Sequence, residues 1–243
     1  PLRSARAADV YALNGNAVVL APSFTYHGFR YAEIEADEGV DIRDVEAVAI
    51  SSDGRDTGEF ACSNELLNKL FANVRWSQRG NFVSIPTDCP QRDERLGWTG
   101  DIQVFAQTAC ANGDVQAFLA SWLADLALEQ REDGCVPGTA PNILQGHKFE
   151  YVGAGWGDAA TLAPWTVYEA YGDAEILRGQ YASMRAWADW CSSRCNADGA
   201  WVGDWQIGDW LDPNAPSDRP EQATTNSDYR SEERRVGKEC RSR

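Results

Sequence analysis

Near residue 60 the apolar residues of this chain change period, and that change constrains the fold more than any other feature. Before about residue 55, short β-rich runs at 17–20, 29–35 and 45–50 are separated by turn residues at Asn14-Gly15, Pro22 and 37–39, which is strand spacing. From Ser63 onward the spacing is helical. Ser63 stands where it can cap a helix that carries Leu66, Leu67, Leu70, Phe71 and Val74 on one face. A second helix opens near Asp101, with Ile102, Phe105, Ala106 and Ala109 inward. The third is an unbroken stripe of Val115, Phe118, Leu119, Trp122, Leu123 and Leu126, with Asp114 as its cap and Asp133-Gly134 ending it. A fourth covers 159–171 with Leu162, Trp165 and Tyr168 inward and Gly172 as its stop, and a fifth runs over 174–191 through Leu177, Tyr181, Met184, Ala188 and Cys191. Residues 1–55 therefore read as the end of a β-sandwich domain, 51–57 as a linker, and 56–229 as part of a mainly α domain.

The connections between these helices are unequal. Those at 111–113 and 172–173 are a few residues long, whereas 81–100, 134–158 and 198–228 are long and rich in Gly, Pro, Trp and Asp. Alternating short and long loops suit a ring of helical hairpins with one trimmed rim and one rim that holds a site. Chemistry is expected in the long loops.

The first of them places Asp88, Asp93, Glu94 and Asp101 with Arg92, Arg95 and Trp98 within fourteen residues, broken by Pro90, Gly97 and Gly100. Crowded carboxylates repel, and the repulsion raises the proton affinity of at least one of them. A carboxylic acid kept protonated near neutral pH can protonate a leaving oxygen, as in glycoside hydrolysis. A solvated acidic turn with local Arg pairing is the plainer alternative. The second loop holds Gly153-Ala-Gly155-Trp156-Gly157-Asp158. A dinucleotide fingerprint is excluded there by the misplaced third glycine and by Asp158 where a pyrophosphate would sit. Trp156, flanked by glycines, is either the wall of a sugar pocket or a core Trp closing a helix end. The third loop repeats Gly, Asp and Trp through Asp204, Trp205, Asp209, Trp210 and Asp212. Carboxylates accept from sugar hydroxyls while indoles cover the apolar ring face, so the pairing suits carbohydrate.

Composition narrows the classes further. With 22 Lys plus Arg against 37 Asp plus Glu, the formal charge is -15 and the pI about 4.5, which argues against nucleic acid and anionic membrane partners. Ten Trp suit a pocket that presents flat faces to a neutral polar ligand. The charge is uneven: residues 230–243, RSEERRVGKECRSR, carry +3 and leave 1–229 at -18. That stretch reads either as a basic solvated tail or, more sharply, as a translated sequencing adapter, a non-native tail to be left out of fold reasoning. Pro1 is followed by no long apolar run, and the chain is expected to be an internal fragment. Localisation is left open with the cytoplasm favoured, as is the oligomeric state. The six cysteines before the tail lack disulfide-scaffold spacing. Cys191 and Cys195 have no nearby His for zinc, and no metal or other cofactor is expected. A Cys89–His147 nucleophile pair is conceivable but has no motif behind it.

The string at 88–101, Asp-Cys-Pro-Gln-Arg-Asp-Glu-Arg-Leu-Gly-Trp-Thr-Gly-Asp, resembles the signature of bacterial α-L-rhamnosidases of glycoside hydrolase family 78. The stretches around Trp156-Gly-Asp158 and Gly208-Asp-Trp-Leu-Asp212 resemble later blocks of that family, and Tyr26-His-Gly-Phe-Arg-Tyr31 the end of the β-sandwich before its catalytic domain. The resemblance covers nearly all of 20–229. It implies the N-terminal half of an (α/α)6 barrel and inverting hydrolysis of terminal α-L-rhamnosyl residues from small molecules or polysaccharides. It makes Glu94 the general acid, has Asp88, Arg92 and Asp101 hold the rhamnose hydroxyls, and lines the pocket with Trp98, Trp156 and Trp210. The general base of the family is a later glutamate, followed by a binding histidine, and this chain ends before either. Alone it is therefore expected to be inactive. Another (α/α)6 glycosidase or lyase should lack the 88–101 string, and a non-catalytic sugar-binding or interaction module is the remaining rival.

Overall fold

The computed structural model describes residues 4, 6–52, 54–147, 150–201 and 204. Its elements in chain order are α1 (Glu65–Asn81), β1 (Phe82–Val83), β2 (Ile85–Pro86), α2 (Thr99–Asn112), α3 (Gln116–Glu129), α4 (Ala159–Tyr171) and α5 (Glu175–Ser193). All five expected helices form. β1 and β2 are a two-residue antiparallel ribbon that leaves α1 and leads into the acidic loop.

The core lies between α2, α3, α4 and α5, with α4 packed against the other three. Facing surfaces of α2 and α4 are built of small residues, Ala106 and Ala109 against Ala159, Ala160 and Ala163, all buried. Small side chains let helix backbones approach closely. The stripe read on α3 is where it was expected, with Leu119, Trp122, Leu123 and Leu126 essentially inaccessible. Gly172 ends α4 in the left-handed region at φ 71° and returns its N–H to the Tyr168 carbonyl, as a C-terminal glycine should.

Several local expectations are corrected. α1 is capped by Asn64, whose side chain accepts from the Leu66 N–H at 3.0 Å, and not by Ser63. Asp114 does not cap α3. The N-terminal residue there is Val115, whose N–H is taken by the Tyr171 hydroxyl at 2.9 Å. α3 also ends at Glu129, ahead of the Asp133-Gly134 turn. On α5 the buried face is Gln180, Ser183, Met184, Trp187 and Trp190, while Tyr181 is 62% exposed. The stripe is rotated because two indoles, each burying more area than Leu or Tyr offered on the expected face, take the core positions.

The apolar face of α1 does not reach this core. Leu66, Leu67 and Leu70 are 76%, 47% and 57% exposed, and no described helix covers them. The three strands expected before residue 55 are also absent: the described residues there make no ladder, and Val10, Val19 and Tyr31 stand open to solvent. A strand needs a neighbour for its N–H and C=O groups, and no described segment offers one. Residues 205–243, including the basic tail, lie outside the described residues.

Candidate functional site

Two of the three long loops meet at the start of α2. The Thr99 N–H and hydroxyl both donate to the Gly138 carbonyl, the Ala140 N–H donates to the Gly97 carbonyl, and Trp98 bridges Thr139. Gly97 is buried at this crossing, and Gly138 is held in turn by the Tyr151 carbonyl. The crossing fixes Trp98 at the head of α2, with Asp101 in its first turn.

Inside this frame the acidic loop folds on its own charges. Asp88 closes it, its N–H donating to the Leu96 carbonyl while its Oδ1 accepts from the Leu96 N–H at 2.9 Å. The Arg92 guanidinium spans the interior. Its Nη2 lies 3.1 Å from Asp88 Oδ2, and its Nε donates to Glu94 Oε2 at 2.9 Å. The other oxygen of Glu94 accepts from the Trp98 indole N–H at 3.0 Å. Side-chain exposure falls from 28% for Arg92 to 19% for Glu94 and 6% for Asp88, so the pairing sits in a partly closed recess. Of the expected site residues, Asp88, Arg92, Glu94 and Trp98 are in direct contact. Trp210 lies outside the described residues.

Asp101 completes the acidic group and has no ion-pair partner among the described residues. Surrounding protein, and then the negative charges of Asp88 and Glu94, push its carboxyl up to about 6. A hydrogen bond from its own backbone N–H and the charge of Arg92 work the other way and are weaker. Asp101 remains open to solvent on one side, which screens part of this effect. The folded pKa lies above that of a free aspartate. The folded state therefore binds the extra proton between about pH 4 and 6, and stability falls as pH rises through that window. Asp101→Asn is expected to raise thermal stability at about pH 7.5, by no more than about 1 kcal/mol after screening, and by about a third of that near pH 4.5. Melting curves of the two proteins at both pH values check this, and an equal shift at both would refute it.

The thiol of Cys89 is pushed up to about 11, first by burial and then by its hydrogen bond with Asp88. A thiol held protonated is a poor nucleophile, which argues against the Cys89–His147 alternative. The ligand-type atoms of Asp88, Cys89 and Glu94 lie within 4.8 Å of one another. The cation that bridges the two carboxylates is the Arg92 guanidinium.

Trp156 is half-buried. Its ring meets Tyr151 edge-on at 4.9 Å, and a Cβ on Gly100 would come within 2.8 Å of its indole. It therefore packs on the first turn of α2, one residue before Asp101, and part of it stays open to solvent. Among the described residues, three further Asp–Trp pairs serve the packing. Trp187 donates to Asp158 at 2.8 Å, Trp190 to Asp133 at 3.2 Å and Trp201 to Asp204 at 2.6 Å. Asp158 also receives the Gly155 N–H and is buried. A buried indole needs an acceptor for its N–H, and these carboxylates supply it. The partners lie 29 and 57 residues apart for the first two pairs, too far for local sequence to connect them. Inside the acidic recess, the pair of this kind among the described residues is Trp98 with Glu94.

Comparison with known proteins places these features. The family described as bacterial α-L-rhamnosidase 6 hairpin glycosidase domain matches residues 55–232, and the bacterial α-L-rhamnosidase concanavalin-like domain matches 1–51. An α-L-rhamnosidase of Formosa agariphila is 43% identical over 76% of this chain and 20% of its own length. One from Streptomyces avermitilis is 43% identical over 86% of this chain and 20% of its own. The crystal structure of the Streptomyces avermitilis α-L-rhamnosidase complexed with L-rhamnose superposes with a TM-score of 0.64 at 40% identity, covering 74% of this chain and 16% of that one. Native α-L-rhamnosidase from Aspergillus terreus gives 0.67 at 48% identity, covering 74% and 21%. The chain spans about a fifth of the length of the curated relatives it matches.

Proposed function

The chain belongs to the bacterial α-L-rhamnosidase family, and from that premise we propose that it supplies the acid-bearing part of an inverting glycoside hydrolase that releases terminal α-L-rhamnose from rhamnosylated small molecules or polysaccharides. In this reading residues 1–55 end a β-sandwich domain, and 56–229 form the N-terminal part of the (α/α)6 catalytic domain. Glu94 is the general acid. Asp88, Arg92 and Asp101 bind sugar hydroxyls, with Trp98, Trp156 and Trp210 as walls.

The observation that carries the reading is the disposition of donors on Glu94. Proton transfer to a glycosidic oxygen breaks the Glu94 O–H bond and leaves a carboxylate, while the C–O bond to the leaving group breaks. Arg92 on one oxygen and the Trp98 N–H on the other are placed to stabilise the carboxylate that forms. Such donors favour the state after proton transfer, which is the direction catalysis needs. Asp88, anchored by the Leu96 N–H and almost closed from solvent, keeps Arg92 from collapsing onto Glu94 alone. Its remaining acceptor capacity suits a sugar hydroxyl. Inversion further requires a second carboxylate about 6.5–9.5 Å from the first, with a water between them. In this reading that group comes from a part of the barrel beyond these residues.

Two proteins test the proposal on p-nitrophenyl α-L-rhamnoside: the 243-residue chain alone, and the same sequence within a chain as long as its relatives. The first is expected to release no nitrophenol above background, and the second to turn over at about 1–10³ per second. Comparable rates from both would refute the need for a second carboxylate from elsewhere. Silence of the longer protein would refute the rhamnosidase assignment.

A further inference from the structure

Glu94 is held by Arg92 and Trp98, but the residues on either side of it are held by something else. The Asp93 carboxylate accepts from Ser4 through both its N–H and its hydroxyl. Arg95 donates from Nη1 to the Tyr26 carbonyl at 2.9 Å, and its guanidinium lies over the Tyr26 ring, 4.8 Å from the centroid. Two residues after Tyr26, Gly28 presses on the same loop: a Cβ there would come within 2.9 Å of the Pro90 carbonyl oxygen and 3.1 Å of the Gln91 Cα. Across the described residues of 4–52, only Tyr26, His27 and Gly28 are half-buried, the others being exposed. The best-covered stretch of the N-terminal segment thus lies against the loop that carries Glu94.

The backbone at that point is unusual. Arg95 has φ 49°, in the left-handed region that a residue with a long side chain rarely occupies. A turn of this kind re-aims the chain between Glu94 and the Leu96–Asp88 closure, and it persists only where neighbouring contacts over-determine it. The hydrogen bond and ring contact to Tyr26 are those contacts. Phe24 and Ser84, which line the same seam, also have positive φ, 61° and 65°.

We propose that Arg95 is a positioning residue for Glu94, and that Tyr26 to Gly28 form the surface against which it is braced, so that the N-terminal domain is part of the machinery that aims the acid. This rests on the assignment of Glu94 as general acid. A misaimed acid still binds sugar but transfers its proton late, and the penalty depends on how much the leaving group needs that proton. A nitrophenolate leaves with little help, whereas an alkoxide does not.

The test is run in the longer protein, with p-nitrophenyl and methyl α-L-rhamnosides as paired substrates. Arg95→Ala is expected to lower kcat at least about tenfold on the methyl glycoside and less than about threefold on the nitrophenyl one, with KM for both within about threefold. The ratio of the two rates is independent of the fraction of folded enzyme, so partial misfolding cannot imitate it. Tyr26→Ala should show the same split in weaker form. Tyr26→Phe should leave both rates unchanged, because it keeps the ring and the carbonyl. Arg95→Lys should restore most of the methyl-glycoside rate, since one donor and one cation over the ring suffice. Equal losses on both substrates, or no loss, would overturn the proposal. Glu94→Gln on the same pair separates the two levels: if it shows the split and Arg95→Ala does not, the bracing role alone fails. If Glu94→Gln shows no split, the acid assignment fails and the bracing role with it.

Discussion

Glu94→Gln, introduced into a chain as long as its relatives, is expected to lower kcat/KM about 10²–10⁴-fold on an alkyl or glycosyl rhamnoside, about 3–5 kcal/mol of transition-state stabilisation. The size follows from chemistry at one atom. An amide has no proton to give, so the leaving oxygen departs as an alkoxide. Ground-state binding has no such dependence. Asp88, Arg92 and Asp101 remain, and rhamnose affinity measured by calorimetry should stay within about threefold. The fold gives a second handle. Gln has one acceptor oxygen where Glu94 offers two, and Arg92 and the Trp98 indole each present a donor. One N–H must then face an amide NH₂, at a cost of about 1–3 kcal/mol in stability. A Gln variant with lost turnover, retained rhamnose affinity and a modestly lower melting temperature is the expected combination. Unchanged turnover would refute the acid role, and lost affinity would show that Glu94 serves mainly to hold the sugar.

Which parts of this site were legible in the sequence follows from how local their physics is. The helices were, because apolar period is a property of neighbouring residues: α2 and α4 fall within two residues of where the pattern put them. The string at 88–101 was also legible, because Asp88, Arg92, Glu94 and Trp98 interact within eleven residues of chain. What local reading missed is decided by partners far away. The indoles of Trp187 and Trp190 rotate α5 because Asp158 and Asp133 wait for their N–H groups. The crowding argument foresaw a raised carboxyl but could not say which one. Asp101 is where that rise is found, because the surrounding protein desolvates it and two like charges lie near, while Arg92 is engaged by Asp88 and Glu94. The strand pattern before residue 55 had the same weakness, since alternation records a preference and a ladder needs a second strand to satisfy it.

Gly97→Ala is expected to be the most damaging single methyl in the acidic loop, and for reasons outside the loop. A Cβ at residue 97 would stand 2.2 Å from the Ala140 carbonyl oxygen and 3.3 Å from the Trp122 indole nitrogen. That carbonyl is the acceptor for the Trp122 N–H at 3.0 Å, and Trp122 is wholly buried in α3. Relief requires either the two loops to part, which breaks the Ala140 N–H to Gly97 carbonyl bond, or the Ala140 carbonyl to swing away and leave a buried indole without a partner. Overpacking costs about 1–3 kcal/mol and an orphaned buried donor about 1–3 more, so a loss of about 2–5 kcal/mol is expected from urea unfolding. Activity should suffer in the molecules that still fold, because Trp98 follows directly and carries the donor on Glu94. A displacement of about 1 Å there is worth about 10²-fold in rate. Gly179→Ala provides the opposite sign. That position lies within α5 with nothing inside 4 Å of its Cβ, and the change should stabilise by about 0.5–1 kcal/mol with no effect on turnover. If Gly97→Ala were as mild as Gly179→Ala, the crossing of the two loops would not be what holds Trp98 and Glu94 in register.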